Sequence, residues 1–152
     1  MRHGSRPLLA LTLALPLLGA GAPVPTSPTL TQVSVVVTGL RNAKGQVLAC
    51  LTAQPKGFPD CRKDPAAKNA IVPAGATVRI VFEGVPAGRY AISMIHDENG
   101  NRKMDMALMM PKEGYGFSRD APVRMGPPKF DKAAFDVAGP AVQQTARMRY
   151  LF

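Results

Sequence analysis

Beyond residue 22 the sequence has no apolar run that would cross a bilayer, a task that takes roughly 20 residues, so no transmembrane segment is expected. There is no Gly-x-Ser-x-Gly and no other Ser or Cys nucleophile motif, which leaves covalent hydrolase chemistry without a carrier. No block of Lys and Arg is interleaved with aromatics, so nucleic acid is not an expected partner. No stretch keeps a helical period for three turns, and no segment repeats. Cysteine is down to two residues, neither of them just after the N-terminal apolar run, so a lipoprotein anchor is not expected either.

What is present begins with a leader. Arg2 and Arg6 precede an apolar run from Pro7 to Leu18, and Gly19 to Ala22 are small. That pattern reads as a signal peptide over residues 1–22, cut after Ala20, and implies a periplasmic or secreted protein. Residues 23–30, PVPTSPTL, read as a Pro-rich linker, which leaves 31–152 as one folded domain. Without Arg2 and Arg6 the 19 basic residues become 17 against 10 acidic ones, a net charge of +7. Such a surface favours an anionic polymer or another anionic envelope partner, lipid head groups and cell-wall polymers included.

Period-two alternation marks the strands. Over 31–38 Val33, Val35 and Val37 point one way with Gln32, Ser34 and Thr38 opposite, GLRNAKG (39–45) reads as a turn, and 46–52 as the returning arm of a hairpin. Residues 53–70 hold no period and are broken by Pro55, Gly57, Pro59 and Pro65, with Phe58 as an expected anchor. Alternation returns at 76–83, and 90–96 is apolar on both faces, as an inner strand should be. Residues 133–137 and 144–151 complete the set. Short strands with Gly/Pro turns predict an all-β sandwich of about seven strands with one long ordered loop, 97–131. Phe82, Tyr90, Ile92, Met94, Val35 and Val37 are expected to share its core. Cys50 and Cys61 suggest a disulfide in an oxidising compartment; an unpaired thiol or a metal pair are the alternatives.

The motifs GLRNAKGQV, GFPD, FEGVPAGRYAISMIHDENGNRKMD, PKEGYGFSRD, GPPKFDKAAF and RMRYLF occur in this order. In that order and spacing the chain resembles the bacterial domain of unknown function 2141, a family of exported proteins. The resemblance implies an immunoglobulin- or transthyretin-like sandwich and export, and no particular activity. Arg102 stands where relatives usually carry Gly, and the segment from Met104 to Met110 is richer in methionine than theirs.

Candidate chemistry gathers after residue 95. Asp97, Asn99, Asn101, Lys103 and Asp105 fall at every second position, the spacing by which calcium loops turn oxygens inward. Arg102 replaces the Gly of such loops, Leu108 stands where a bidentate Glu is expected, and no helices flank the segment, so an EF-hand is excluded. Glu113 is the expected outside contributor. The plainer alternative is an Asn-Gly turn at 99–100 held by side-chain hydrogen bonds. His96, Asp97 and Glu113 suggest acid–base work, but adjacent strand residues point to opposite faces, and no enzyme is expected. Met104, Met106, Met109 and Met110 with His96 offer soft donors for copper(I), or simply gap-filling apolar surface. Lys112, Tyr115 and Arg119, with His96, form the expected contact surface. The sequence thus predicts an exported, non-enzymatic binding or structural module using the 97–131 loop, with calcium-stabilised and copper-handling modules as alternatives.

Overall fold

The alternation of Thr31–Thr38 sends Val33, Val35 and Val37 to one side, and all three are fully buried in the computed structural model, which describes residues 30–152. The expected signal peptide (1–22), and the expected linker up to residue 29, lie outside the described residues. The strands in order are β1 (Thr31–Thr38), β2 (Gln46–Thr52), β3 (Lys68–Pro73), β4 (Val78–Val85), β5 (Gly88–Asp97), β6 (Met106–Ala107), β7 (Met110–Pro111), β8 (Gly114–Phe117), β9 (Phe135–Val137) and β10 (Ala141–Arg147). One short helix, α1 (Phe130–Ala133), precedes β9.

These strands build an all-β fold of two facing sheets. The first has the order β10-β1-β4, with β1 parallel to β10 and antiparallel to β4. The second has the order β3-β2-β5-β8, and β9 pairs with the start of β5. Val35 and Ile80 from the first sheet and Leu51, Ile92 and Met94 from the second meet in one core, with Phe82 beside them and Tyr90 packed at its margin. Each such large apolar side chain stabilises the fold by about 1.5–3 kcal/mol relative to exposure. A one-residue slip of β1 would put Ser34 in place of Val35, so burial fixes the register. Ser34 is itself covered on the outer face, where Arg79 Nη2 donates to its Oγ at 3.2 Å.

Three expectations need correction. Residues 39–45 do not close a hairpin: β1 and β2 belong to different sheets. The seven residues between the strands are enough chain to cross the ~10 Å separating packed sheets. Strand β3 was missed because its sequence, KNAIVP, does not alternate in polarity; Ala70 and Val72 pack against the core while Ile71 is exposed at the sheet edge. The stretch 97–131 is not one loop. β6 and β7 form a small hairpin, and β8 joins the second sheet beside β5.

The sequence of β8 explains its place. Tyr115 and Phe117 pack with Phe130, Ala133 and Ala91 in a second apolar cluster, which Phe58 joins through edge-on contacts to Phe117 and Phe130. A Cβ at Gly114 would lie 2.4 Å from the Tyr150 ring, so only glycine lets the C-terminal segment close over this strand. Cys50 on β2 and Cys61 in the 3-10 turn Cys61–Lys63 are joined in a disulfide, with Cα atoms 6.4 Å apart, as expected.

Candidate functional site

Strand β5 delivers His96 and Asp97 to the end of the second sheet, and both are fully buried. His96 Nε2 lies 2.8 Å from the Lys44 carbonyl, which can only accept, so Nε2 carries the proton. Nδ1 is then the acceptor, and the Tyr150 hydroxyl donates to it at 2.7 Å. That hydroxyl also accepts the Arg41 backbone N–H at 3.1 Å, while the Arg41 guanidinium sits 4.5 Å over the Tyr150 ring. Burial raises the Tyr150 hydroxyl pKa above its ordinary value. The ring of His96 is thus fully engaged. It is a pillar of the sheet end, not the exposed contact that the sequence suggested.

Asp97 organises the turn that follows. Its Oδ1 accepts the Asn101 N–H at 3.1 Å, and its Oδ2 accepts from the Arg102 N–H and Gln46 Nε2, both at 2.8 Å. Burial works against ionisation, but the hydrogen bonds from Gln46, Arg102, Asn101 and Gly100 together hold the carboxyl below its usual range. Arg102 adopts φ 61°, the left-handed backbone that glycine takes without cost. Asn99 Oδ1 and Asn101 Oδ1 each accept the N–H two residues on, at 3.0 and 2.8 Å. The amides of the same two residues converge on one carboxylate: Asn99 Nδ2 donates to Asp105 Oδ2 at 2.6 Å and Asn101 Nδ2 to Asp105 Oδ1 at 2.9 Å.

Glu113, just ahead of β8, closes the arrangement. It is 4% exposed, and its Oε2 accepts the Asp105 N–H at 3.1 Å. Its Oε1 is buried with no hydrogen-bond partner. Burial pushes the carboxyl up, and the nearby charges of Asp97 and Asp105 push the same way. An orphaned buried oxygen costs about 1–3 kcal/mol, more when charged. Next to it, Glu98 receives the Arg41 guanidinium and the Asn42 amide, and the Arg41 contact, opposed by burial, brings its pKa down to about 2. Arg41, Glu98, Asn99, Asp105, Lys112 and Glu113 line a recess of about 200 Å³.

Of the residues expected to form a metal site, Asp97, Asn99, Asn101 and Asp105 share one turn and Glu113 reaches it from just ahead of β8, although among the described residues no three His, Cys, Asp or Glu side chains stand together as a metal-holding group. The expected contact surface divides. Lys112 and Arg119 are exposed, but Tyr115 is 7% exposed, because it belongs to the apolar cluster outside the second sheet. His96 is also withdrawn from a copper site: both its nitrogens are used, and Met104 packs into that same outer cluster. Sequence reasoning missed Arg41, Gln46, Glu98 and Tyr150, and nothing local in the sequence marks them.

It also missed the β6–β7 hairpin. Met106 pairs with Pro111 and Ala107 with Met110, so Leu108 and Met109 form the tip. Both have positive φ, 48° and 67°, and both are 92% exposed. The Lys112 N–H closes the base onto the Asp105 carbonyl at 2.9 Å.

The sequence pattern of a bacterial family, described as an uncharacterized protein conserved in bacteria (DUF2141), matches residues 35–145. The chain belongs to that family. The matched span runs from β1 to β10 and includes the whole of the turn, Glu113 and the hairpin, so these features lie within the DUF2141 unit. No curated protein and no solved structure matches the chain.

Proposed function

We propose that this DUF2141 protein is an exported, non-enzymatic β-sandwich module of the bacterial envelope, and that its 97–131 end makes contact with an anionic lipid surface. The observation that carries the reading is the hairpin tip, where Leu108 and Met109 are each 92% exposed on left-handed backbone. Asn-Gly is the low-strain choice for such a turn. Leu and Met there cost about 1–2 kcal/mol each in backbone strain and gain no packing within the chain. Met106 and Met110, exposed at the sides, extend the apolar point. Arg102, Lys103 and Lys112, which flank the hairpin in sequence, are all exposed.

An apolar point flanked by exposed basic residues suits the interfacial zone of an anionic membrane. Acyl chains accept Leu108 and Met109, at about 1.5–3 kcal/mol for each side chain fully withdrawn from water. The basic residues add about 1 kcal/mol each near an anionic surface. A cell-wall polymer matches the charge but has no apolar phase for the tip. The non-enzymatic part of the reading is supported by His96, whose two ring nitrogens are committed to Lys44 and Tyr150.

Co-sedimentation with vesicles of phosphatidylglycerol and phosphatidylcholine tests the reading. The protein should pellet with anionic vesicles at low salt, pellet much less with pure phosphatidylcholine, and be released by about 0.5 M salt, where screening is nearly complete. Leu108→Asp with Met109→Asp should abolish pelleting while leaving the melting temperature within a few degrees. An unsubstituted protein that stays in the supernatant with anionic vesicles at low salt overturns it.

A further inference from the structure

Among the described residues two buried side-chain atoms have no hydrogen-bond partner, Arg149 Nη1 and Glu113 Oε1, and the second lies beside the 97–105 turn. We propose that Asp97, Asn99, Asn101, Asp105 and Glu113 form a calcium site that ties the 97–105 turn to the start of β8. The inference is independent of any membrane contact.

Two separate observations carry it. The first is the donor set itself. Oxygen-bearing side chains at every second position surround a turn whose sixth residue, Arg102, takes the left-handed φ of 61° that this spacing requires. The amide nitrogens of Asn99 and Asn101 already reach the Asp105 carboxylate, 2.6 and 2.9 Å away, so three of the side chains meet at one point with N–H groups turned toward it. Each amide oxygen accepts a single main-chain N–H here and retains a second lone pair. The Lys103 carbonyl, at position seven, is the main-chain ligand that the spacing assigns.

The second observation lies outside the turn. Glu113 is 4% exposed, lines the same recess as Asn99 and Asp105, and holds an oxygen with no partner. Its other oxygen is fixed by the Asp105 N–H, which aligns the carboxylate with the turn. Leu108, where a bidentate Glu would stand in a helix-flanked loop, is 92% exposed at the hairpin tip and far from that role. The hairpin folds the chain back, and Glu113 takes the place that Leu108 vacates.

The chemistry selects calcium. All donors are oxygen, two are neutral amides, and the set is irregular, which suits a large ion with adaptable coordination; magnesium demands a near-regular octahedron and gives up water reluctantly. In this structure the three carboxylates do not form a closed metal-holding group. The amides of Asn99 and Asn101 occupy the face of Asp105 that the ion would take, so binding requires those amides to turn their oxygens inward and the turn to tighten.

The test uses full-length protein freed of metal with EDTA and then given CaCl2 or MgCl2. Calcium at about 100 times its dissociation constant should raise the melting temperature by roughly 8–16 °C, EDTA should reverse the rise, and equal magnesium should give less than half of it. Glu113→Gln should weaken calcium binding by about 100-fold or more in calorimetry, yet melt at or above the parent temperature in EDTA, because the orphaned charge is gone. Asp105→Asn, at a half-exposed position, should lose the calcium response as well and serves if Glu113→Gln does not fold. Asp120→Asn, outside the turn, should keep the full response. Either of two results overturns the site: no calcium-dependent rise in the parent protein, or an undiminished response in Glu113→Gln or Asp105→Asn.

Discussion

Tyr150→Phe removes one oxygen and keeps the ring, so it separates the hydrogen bonds around His96 from the packing. That oxygen has two partners, His96 Nδ1 at 2.7 Å and the Arg41 N–H at 3.1 Å. Arg41 is exposed and its N–H can turn to water, but His96 is fully buried and its Nδ1 would keep no partner. A buried acceptor left in that condition costs about 1–3 kcal/mol, so a loss near ~2 kcal/mol is expected. The cation–π contact of Arg41 survives, since it needs only the ring. For a domain of this size each kcal/mol moves the melting temperature by roughly 3–6 °C, which predicts a fall of about 6–12 °C. Urea unfolding should give the same loss with an unchanged slope.

Nitrogen chemical shifts of the His96 ring supply the second readout. In the parent protein they should report the Nε2–H tautomer, because the Lys44 carbonyl at 2.8 Å can only accept. A Tyr150→Phe protein within about 0.5 kcal/mol of the parent would refute the reasoning, because a fully buried nitrogen would then have lost its partner at no cost. An Nδ1–H tautomer in the parent would refute it too, since Tyr150 could not then be the donor.

Arg102→Gly should stabilise the protein by about 1 kcal/mol, because glycine holds φ 61° without the Cβ clash and keeps the N–H to Asp97; an equal or lower urea midpoint contradicts this. Replacing both Cys50 and Cys61 with Ala should cost about 3 kcal/mol by the loop-entropy account for a sequence separation of 11, and urea titration under non-reducing conditions measures it. Glu98→Gln tests the acid limb. The folded-state pKa of about 2 lies below the ordinary 4.5, so the charge stabilises the fold fully above pH ~4.5, and that contribution is lost as pH falls toward 2. Glu98→Gln should therefore melt below the parent at pH 7, with the gap closing by pH ~2; a gap that persists there would show that something other than the charge is at work.

The sequence made parts of this fold legible where a single face of a strand is buried. In β1 and β4, Val33, Val35, Val37, Val78, Ile80 and Phe82 mark every second position, and the residues between them are polar apart from Val36 and Val81, so period two is readable. It failed where burial and polarity part company. In β3 the edge position leaves Ile71 in water, and in β8 both faces are buried, one by Tyr115 and Phe117 and the other by glycines that carry no hydropathy signal. The connection from β1 to β2 is illegible for a different reason: turn chemistry says that the chain bends, not which sheet it enters. At the site, the every-second-residue spacing of 97–105 was local and readable. The partners of His96 were not, because Tyr150 lies 54 positions away and Lys44 lies 52 away. The rule that neighbours on a strand face opposite ways holds for His96 and Asp97. It predicts separate roles, and they are separate: one anchors the sheet end and the other caps the turn.

Strand register connects these roles. On β5, His96 stands opposite Val47 and Gly114, and Asp97 stands opposite Gln46. That pairing places Gln46 within 2.8 Å of the Asp97 carboxylate and puts Glu113, one residue before Gly114, beside the turn that Asp97 begins. The same register sends Ile92 and Met94 into the core between the sheets. A slip of one residue between β5 and β8 would therefore do two things together. It would bring a side chain other than hydrogen under Tyr150, where a Cβ has no room, and it would carry Glu113 away from Asp105. The glycine at 114 is thus a positional requirement of the turn as well as of the sheet, and the packing of the C-terminal segment over β8 is what holds the buried carboxylate in place.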